Sequence, residues 1–159
     1  MKITLHDRTA ETVAVYFEKA QHPEIRLMLP QKAKTLDEAL ADFVKTRQPG
    51  AVSYGCTIHA DGRYVGDVWI YAIDLGETPN SMLSYCVFDQ EFRGRGTATE
   101  AVQLFLAEVQ TRYGLTSIGA FTYAENIASI RVLEKNGFAL EEEFTEDGVA
   151  SCYFQRRLL

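Results

Sequence analysis

Apolar residues change their spacing several times along the chain, and each change marks an element. Val13, Phe17 and Ala20 share one stripe of a helix from about Ala10 to Ala20, with Thr9 placed to cap it and Gln21-His22-Pro23 to end it. A second helix is marked by Thr35 followed three residues later by Glu38, the pattern of a capping box. Its apolar face is Leu36, Ala39, Leu40 and Phe43, and Gln48-Pro49-Gly50 stops it. The period then falls to two. Val52, Tyr54, Cys56 and Ile58 predict a strand with one buried face, and Ala60-Asp61-Gly62 a hairpin turn. The returning run, Tyr64 to Ile73, is apolar on both faces, which predicts a central strand covered on both sides. Gly76-Glu77-Thr78-Pro79-Asn80 is a loop, and Met82 to Phe88 completes the meander.

The second half alternates differently. A long helix beginning near Arg95 carries the stripe Ala98, Ala101, Val102, Phe105 and Val109 and stops at Gly114. Ser117 to Thr122 is a short strand, and Ile127 to Asn136 a short helix between Asn126 and Gly137. Phe138, Leu140, Glu142 and Phe144 then alternate down one strand, a turn follows at Glu146-Asp147-Gly148, and Ala150, Cys152 and Phe154 alternate down the last. The fold class is α/β (α+β): a mixed sheet of six or seven strands with helices on both faces. A chain of 159 residues supports one such core, so residues 1–159 read as a single domain.

Composition narrows the function. Hydrophobic residues make up 47% and charged residues 24%, which disfavours disorder. With 16 basic and 22 acidic residues the net charge is -6, the wrong sign for a protein that neutralises phosphate backbones, so no direct nucleic-acid partner is expected and a cationic one is favoured. Cys56, Cys86 and Cys152 lie far apart and no closely spaced Cys or His group suggests a metal, so buried thiols are expected. No apolar run approaches the roughly 18 residues of a membrane span, and the start MKITLHDRTAET lacks an uninterrupted apolar segment. Cytoplasmic placement with no membrane partner is the expectation.

The turn Arg93-Gly94-Arg95-Gly96-Thr97-Ala98 joins an apolar strand to an amphipathic helix, so amide hydrogens converge there without bulky side chains between them. Its expected ligand is an anion such as a pyrophosphate, with Arg93 and Arg95 adding charge at the rim. The segment has neither the GxGxxG order of a dinucleotide fingerprint nor the terminal GK[ST] of a nucleoside triphosphate loop. It resembles the acyl-CoA-binding signature of the GCN5-related N-acetyltransferase (GNAT) superfamily, with Arg93, Gly96 and Ala98 at that signature's fixed places. Residues 85 to 101 as a whole look like the branch that acetylates ribosomal-protein N-terminal amines. Asn126-Ile127-Ala128-Ser129, followed by Leu133-Glu134-Lys135-Asn136-Gly137-Phe138, resembles the second signature of that branch.

The resemblance implies a sheet splayed at the third meander strand with acetyl-CoA in the opening. Its pantetheine arm would pair with backbone near Cys86, Val87 and Phe88, its pyrophosphate would lie over Arg93, Gly94, Arg95, Gly96, Thr97, Ala98 and Thr99, and Asn126 and Ser129 would lie along the pantetheine and sulfur end. The reaction implied is attack of a neutral amine on the thioester, with the Val87 or Phe88 amide polarising the carbonyl. Two places depart from familiar relatives: Leu133 stands where some carry a tyrosine that protonates the sulfur, and Phe121 where others place a glutamate. Ser129 is therefore the candidate for the sulfur, and Tyr85 ahead of Tyr123 the candidate for the amine. His6, His22 and His59 read as surface histidines. Glu77, Asp89, Glu91 and Glu125 are candidates for an acidic acceptor entrance.

An amine acceptor follows from the resemblance, a protein N-terminus first, with a polyamine, amino sugar or amino acid left open. Its pocket is expected among the N-terminal helices, residues 22 to 34 and the 74 to 81 loop. Two other readings compete. One is a non-catalytic acyl-CoA sensor; the other is a nucleic-acid module using Arg93, Arg95, Arg112, Arg131 and Lys135, against which the net charge argues. Monomer and homodimer both fit, the latter through a terminal strand left at a sheet edge.

Overall fold

The computed structural model describes residues 1–29 and 33–158. The elements run β1 (Ile3–Asp7), α1 (Ala10–Ala20), α2 (Pro23–Met28), α3 (Leu36–Thr46), β2 (Tyr54–Ala60), β3 (Arg63–Asp74) and β4 (Asn80–Val87), then a 3-10 turn (Gln90–Phe92), α4 (Thr97–Tyr113), β5 (Ser117–Tyr123), α5 (Ile127–Lys135), β6 (Ala139–Glu146) and β7 (Val149–Arg157). They build one seven-stranded sheet in the order β1-β2-β3-β4-β5-β7-β6. Every pairing is antiparallel except β4 with β5. This is the expected mixed sheet with helices on both faces.

Turn chemistry sets the hairpins. Asp61-Gly62 and Asp147-Gly148 both hold two successive positive φ angles, 51° and 83° in the first and 51° and 78° in the second. That is the geometry that returns a twisted strand on itself in two residues. Thr9 caps α1 reciprocally with Thr12. Thr35 Oγ1 accepts from the Glu38 N–H at 3.1 Å, but the Glu38 carboxylate accepts from the Lys34 N–H at 2.8 Å, so the expected capping box is only half formed.

Two elements escape the sequence pattern. β1 has only Ile3 and Leu5 to show an alternation, and its register with β2, from Ile3↔Ala60 to Asp7↔Cys56, is what makes it a strand. Pro23 does not merely end α1: it starts α2, capped by His22, whose Nδ1 accepts from the Glu24 N–H at 3.3 Å. α4 begins at Thr97 rather than near Arg95 because Gly94 and Gly96 first turn the chain through left-handed φ of +70° and +81°. β6 is exposed almost throughout because it is the sheet edge, so its apolar alternation covers no core.

The main core lies on one face of the sheet. Val68, Ile70 and Leu83 pack there with Ala101, Val102, Phe105 and Val109 of α4 and with Leu133 of α5. The opposite face of β3 and β4 carries Asp67, Trp69, Tyr71 and Ser84 toward α1 and α3. β4 and β5 share only the pairs Asn80↔Ser117, Ser81↔Ile118 and Met82↔Gly119, and then part. β5 meanwhile pairs with β7 along its whole length, from Ser117↔Arg157 to Tyr123↔Ser151.

Gly66 lets β3 and β4 close tightly beside that gap: a Cβ there would sit 2.2 Å from Cys86 O and 2.9 Å from the Val87 Cα. Both obstacles are backbone and cannot swing aside. Gly66→Ala is expected to destabilise by about 1–3 kcal/mol, the usual cost of overpacking, read as a lower urea midpoint with an unchanged denaturant slope.

Candidate active site

Where β4 and β5 part, a cleft of about 540 Å³ opens, floored by Leu83, Tyr85 and Val87 and walled by α2, α4 and α5. Its inner end is the start of α4. The first bond within that helix runs from Glu100 N to Gly96 O at 3.0 Å, so the N–H groups of Thr97, Ala98 and Thr99 have no acceptor in their own helix. No side chain caps them. Gly94 and Gly96 have nothing within 4 Å of where a Cβ would stand, which leaves the approach open. Thr97 Oγ1 donates to Phe92 O at 2.8 Å and fixes the helix start to the preceding turn. Orphan amides, the positive end of a 17-residue helix and open space above two glycines fit the diphosphate of a CoA molecule.

The backbone of β4 completes the cleft, with a shift from expectation. Phe88 N donates to Val65 O at 2.9 Å, so alternation along the antiparallel ladder turns Phe88 and Cys86 toward β3 and Tyr85 and Val87 toward the gap. Phe88 is therefore excluded as an oxyanion donor, and its ring packs on Tyr64 and Tyr16. Cys86 contributes to the lining but not ladder groups. The Val87 N–H is left facing the gap, with Tyr85 beside it.

The arginines also depart from expectation. Arg93 donates from Nε to Val87 O at 2.9 Å, from Nη2 to Phe88 O at 3.4 Å and from Nη1 to Glu24 Oε1 at 3.0 Å. Gln90 holds the other Glu24 oxygen at 3.0 Å. Arg93 is a clamp between β4 and α2 rather than a free rim charge. Arg95 donates to Glu91 O at 3.3 Å, lies over the Phe92 ring and does not line the cleft. Arg93 still lines the cleft, and the other cations that line it are Arg131 and Lys135 of α5. Their spacing of four residues on one helix face was the available signal. Arg112, grouped with them in the nucleic-acid reading, stacks instead on Tyr54 near the far end of α4.

Ser129 and Tyr85 meet. Tyr85 Oη lies 2.8 Å from Ser129 Oγ and donates to Ser129 O at 3.1 Å. Asn126 caps α5 by accepting from the Ser129 N–H at 3.1 Å, which fixes the serine over the cleft. Burial pushes the Tyr85 phenol up to about 12, so it stays protonated at neutral pH and serves as a donor, not as the amine's base. Burial likewise pushes the Cys86 thiol up to about 11. Tyr123 lines neither cleft, so the structure does not bring it to the reaction centre.

A second cleft of about 1000 Å³ lies on the opposite face of the sheet, lined by Tyr16, Phe17, Phe43, Trp69, Tyr71, Arg8 and Asp67 among others. The two clefts share Leu29 and Ser84. The expected wall from the 74 to 81 loop is absent from this lining, whereas α1, α3, Leu29 and Ala33 contribute; residues 30–32 lie outside the described residues. Glu77, Asp89, Glu91 and Glu125 do not line it, and both Asp89 and Glu91 pair with Arg63, at 2.9 and 2.8 Å. The His6 and His59 rings lie 4.2 Å apart, tilted by 53°, and no histidine lines either cleft. Among the described residues no group of three His, Cys, Asp or Glu is placed to hold a metal, and no helix is long and apolar enough to cross a membrane.

Comparison with known families agrees with this geometry: residues 2–139 match the model of the acetyltransferase (GNAT) domain. The chain belongs to the GNAT family. Among GNAT relatives it is 33% identical over 88 residues to the probable N-acetyltransferase YjcK of Bacillus subtilis, covering 55% of this chain and 48% of that protein. It is 33% identical over 91 residues to the human alpha/beta-tubulin-N-acetyltransferase 9, covering 57% and 41%. The chain thus spans about half the length, or less, of these relatives. Its fold superposes on the spermidine N-acetyltransferase of Vibrio cholerae, solved with CoA and spermine, with a TM-score of 0.86 at 15% identity over 98% of this chain and 95% of that one.

The Tyr85 phenol gives the GNAT core a pH dependence. Its folded value exceeds the ordinary 10.0, so its contribution to stability is complete below pH 10 and is lost as pH rises through about 12. Tyr85→Phe is expected to cost about 1 kcal/mol at pH 7 through the lost bond to Ser129. It should also flatten part of the stability loss above pH 10, both read by urea unfolding across pH.

Proposed function

We propose that the chain transfers an acetyl group from acetyl-CoA to an amine held in the opposite cleft, and that this amine is a peptide or protein N-terminus. One observation carries the reading: a cleft ending at open helix amides and a cleft walled by aromatic side chains lie on opposite faces of β4 and share Ser84. Bound acetyl-CoA supplies the thioester carbonyl that the amine attacks and the thiol that leaves. The chain supplies the rest. Amides of Thr97, Ala98 and Thr99 hold the diphosphate, with Arg131 and Lys135 adding charge, and the free backbone of Tyr85 aligns the pantetheine arm. The Val87 N–H polarises the carbonyl. Ser129 Oγ, held in place by the Tyr85 hydroxyl, gives a proton to the departing sulfur and takes one back from water entering the cleft. The amine's proton leaves to water through the acceptor cleft.

The volume of that cleft, about 1000 Å³, supports a peptide chain over a compact amine, and a relative named for tubulin acetylation points the same way. The sensor reading would need no acceptor space, whereas about 1000 Å³ is provided. We propose a monomer, because the exposed edge strand β6 carries Glu141, Glu142 and Glu143, which oppose edge-to-edge pairing.

Calorimetry with acetyl-CoA and a thiol-release assay with peptide N-termini, polyamines and amino sugars test the proposal. Binding together with peptide-dependent thiol release is the expected result. Binding without release for any amine would leave only the sensor. Ser129→Ala is expected to lower kcat about 100-fold with acetyl-CoA affinity nearly unchanged; full turnover in that variant would remove Ser129 from the sulfur. Gly94→Asp, which places a negative charge in the anion cradle, is expected to weaken acetyl-CoA binding at least about tenfold.

A further inference from the structure

The acceptor cleft contains an arginine whose setting a structural role leaves unexplained. Arg8, just past β1, donates from Nε to Asp67 Oδ2 at 2.9 Å. Asp67 is 2% exposed, and its other oxygen accepts from the Tyr64 hydroxyl, so the carboxylate is anchored at both ends. The Arg8 guanidinium carbon lies 5.3 Å from the centre of the Trp69 ring. Gly55 makes the third side: a Cβ there would stand 2.5 Å from Cζ and 2.6 Å from Nη1. The guanidinium is thus fixed by a carboxylate, a ring and a notch cut for it.

Only Nε is engaged. Nη1 and Nη2 have no hydrogen-bond partner among the described residues, and Arg8 lines the cleft. A guanidinium carries five N–H donors in a rigid fork whose free edge matches the two oxygens of a carboxylate. A buried ion pair on its own is weak support for stability, since an apolar pair of the same volume serves as well. Unbonded Nη groups on an arginine that lines the cleft are what a ligand would use. The charged residues lining the cleft are Arg8, Lys45, Asp42 and Asp67, two of each sign, so one added carboxylate meets no net repulsion.

We propose that Arg8 binds a carboxylate on the acceptor, so that the enzyme selects amines carrying one at a set distance. This rests on the acetyltransferase reading above. The spacing follows from register: Gly55 pairs with Trp69 and Trp69 with Ser84. Adjacent strands lie about 4.8 Å apart, which sets the free edge of Arg8 roughly 5–10 Å from the point where the clefts meet. The carboxylate of a free α-amino acid, two bonds from its amine, is too near. An Asp or Glu side chain one or two residues beyond a peptide N-terminus fits.

The test compares kcat/KM for peptide pairs differing only by Glu or Gln at the second or third position, with free glutamate as a small-molecule arm. The wild type is expected to prefer one of the Glu peptides by about 10- to 100-fold. In Arg8→Met/Asp67→Asn, which removes both charges together and leaves neither buried alone, the ratio is expected to fall to near one whatever the absolute rates. Arg8→Lys, which keeps the charge without the fork, should give an intermediate ratio and serves if the double variant does not fold. A wild-type ratio near one, a ratio that survives in the variants, or preference for free glutamate over both peptides would overturn the proposal. Should no peptide be acetylated, the acetyltransferase reading falls separately, and calorimetry of the same peptides against the CoA-saturated protein decides the carboxylate site: tenfold tighter Glu binding supports it, equal binding overturns it.

Discussion

Everything at the site depends on two strands that stop pairing in the middle of a sheet. β5 pairs with β7 throughout, while β4 is held by β3, so neither can follow the other after Met82↔Gly119. An unpaired sheet edge is normally found at the rim, where water satisfies it. Here it lies centrally, and the backbone of Tyr85 and Val87 faces a cleft. Leaving such groups unsatisfied costs about 1–3 kcal/mol each. The chain repairs one of them itself through Arg93 and Val87 O and leaves the rest for a ligand with amide groups of its own, which the pantetheine arm has.

The parted strands also give the sheet two chemically distinct faces at one place. On the α4 and α5 side are helix amides, three cations and a Tyr85 phenol kept protonated by burial beside Ser129, all suited to an anionic carrier and a leaving thiol. On the α1 and α3 side are aromatic walls and the Arg8–Asp67 pair. Ser84 lines both, so in the proposed reaction the partners on the two faces would meet there without sharing a route in. Clamps hold this arrangement from outside: Glu24 ties α2 to Arg93 and Gln90, and Arg63 ties the start of β3 to Asp89 and Glu91.

What could be read from the residues was whatever has a local cause. The two Asp-Gly hairpins, the doubly apolar β3 and the helix after RGRG follow from turn chemistry and periodicity within a few residues. β1 was hidden because a short strand with two apolar positions owes its existence to a partner about fifty residues away. The cofactor cleft was legible through its glycines, but the side-chain partners were not. Arg93 looked like a phosphate ligand until its bond to Glu24, 69 residues distant, was seen. The Arg8–Asp67 pair, separated by 59 residues, left no mark in the spacing at all. Tyr85 and Ser129 were each identifiable, though their meeting across 44 residues was not.

The central claim is that the gap after Met82 and the start of α4 together form one binding surface for an acyl-CoA. Amide hydrogen exchange with and without acetyl-CoA tests it residue by residue. Slowed exchange at Tyr85, Val87 and residues 97–99, with Cys86 and Phe88 already slow in the free protein, is the pattern this structure requires. Exchange at those amides that does not change at saturating acetyl-CoA would contradict it.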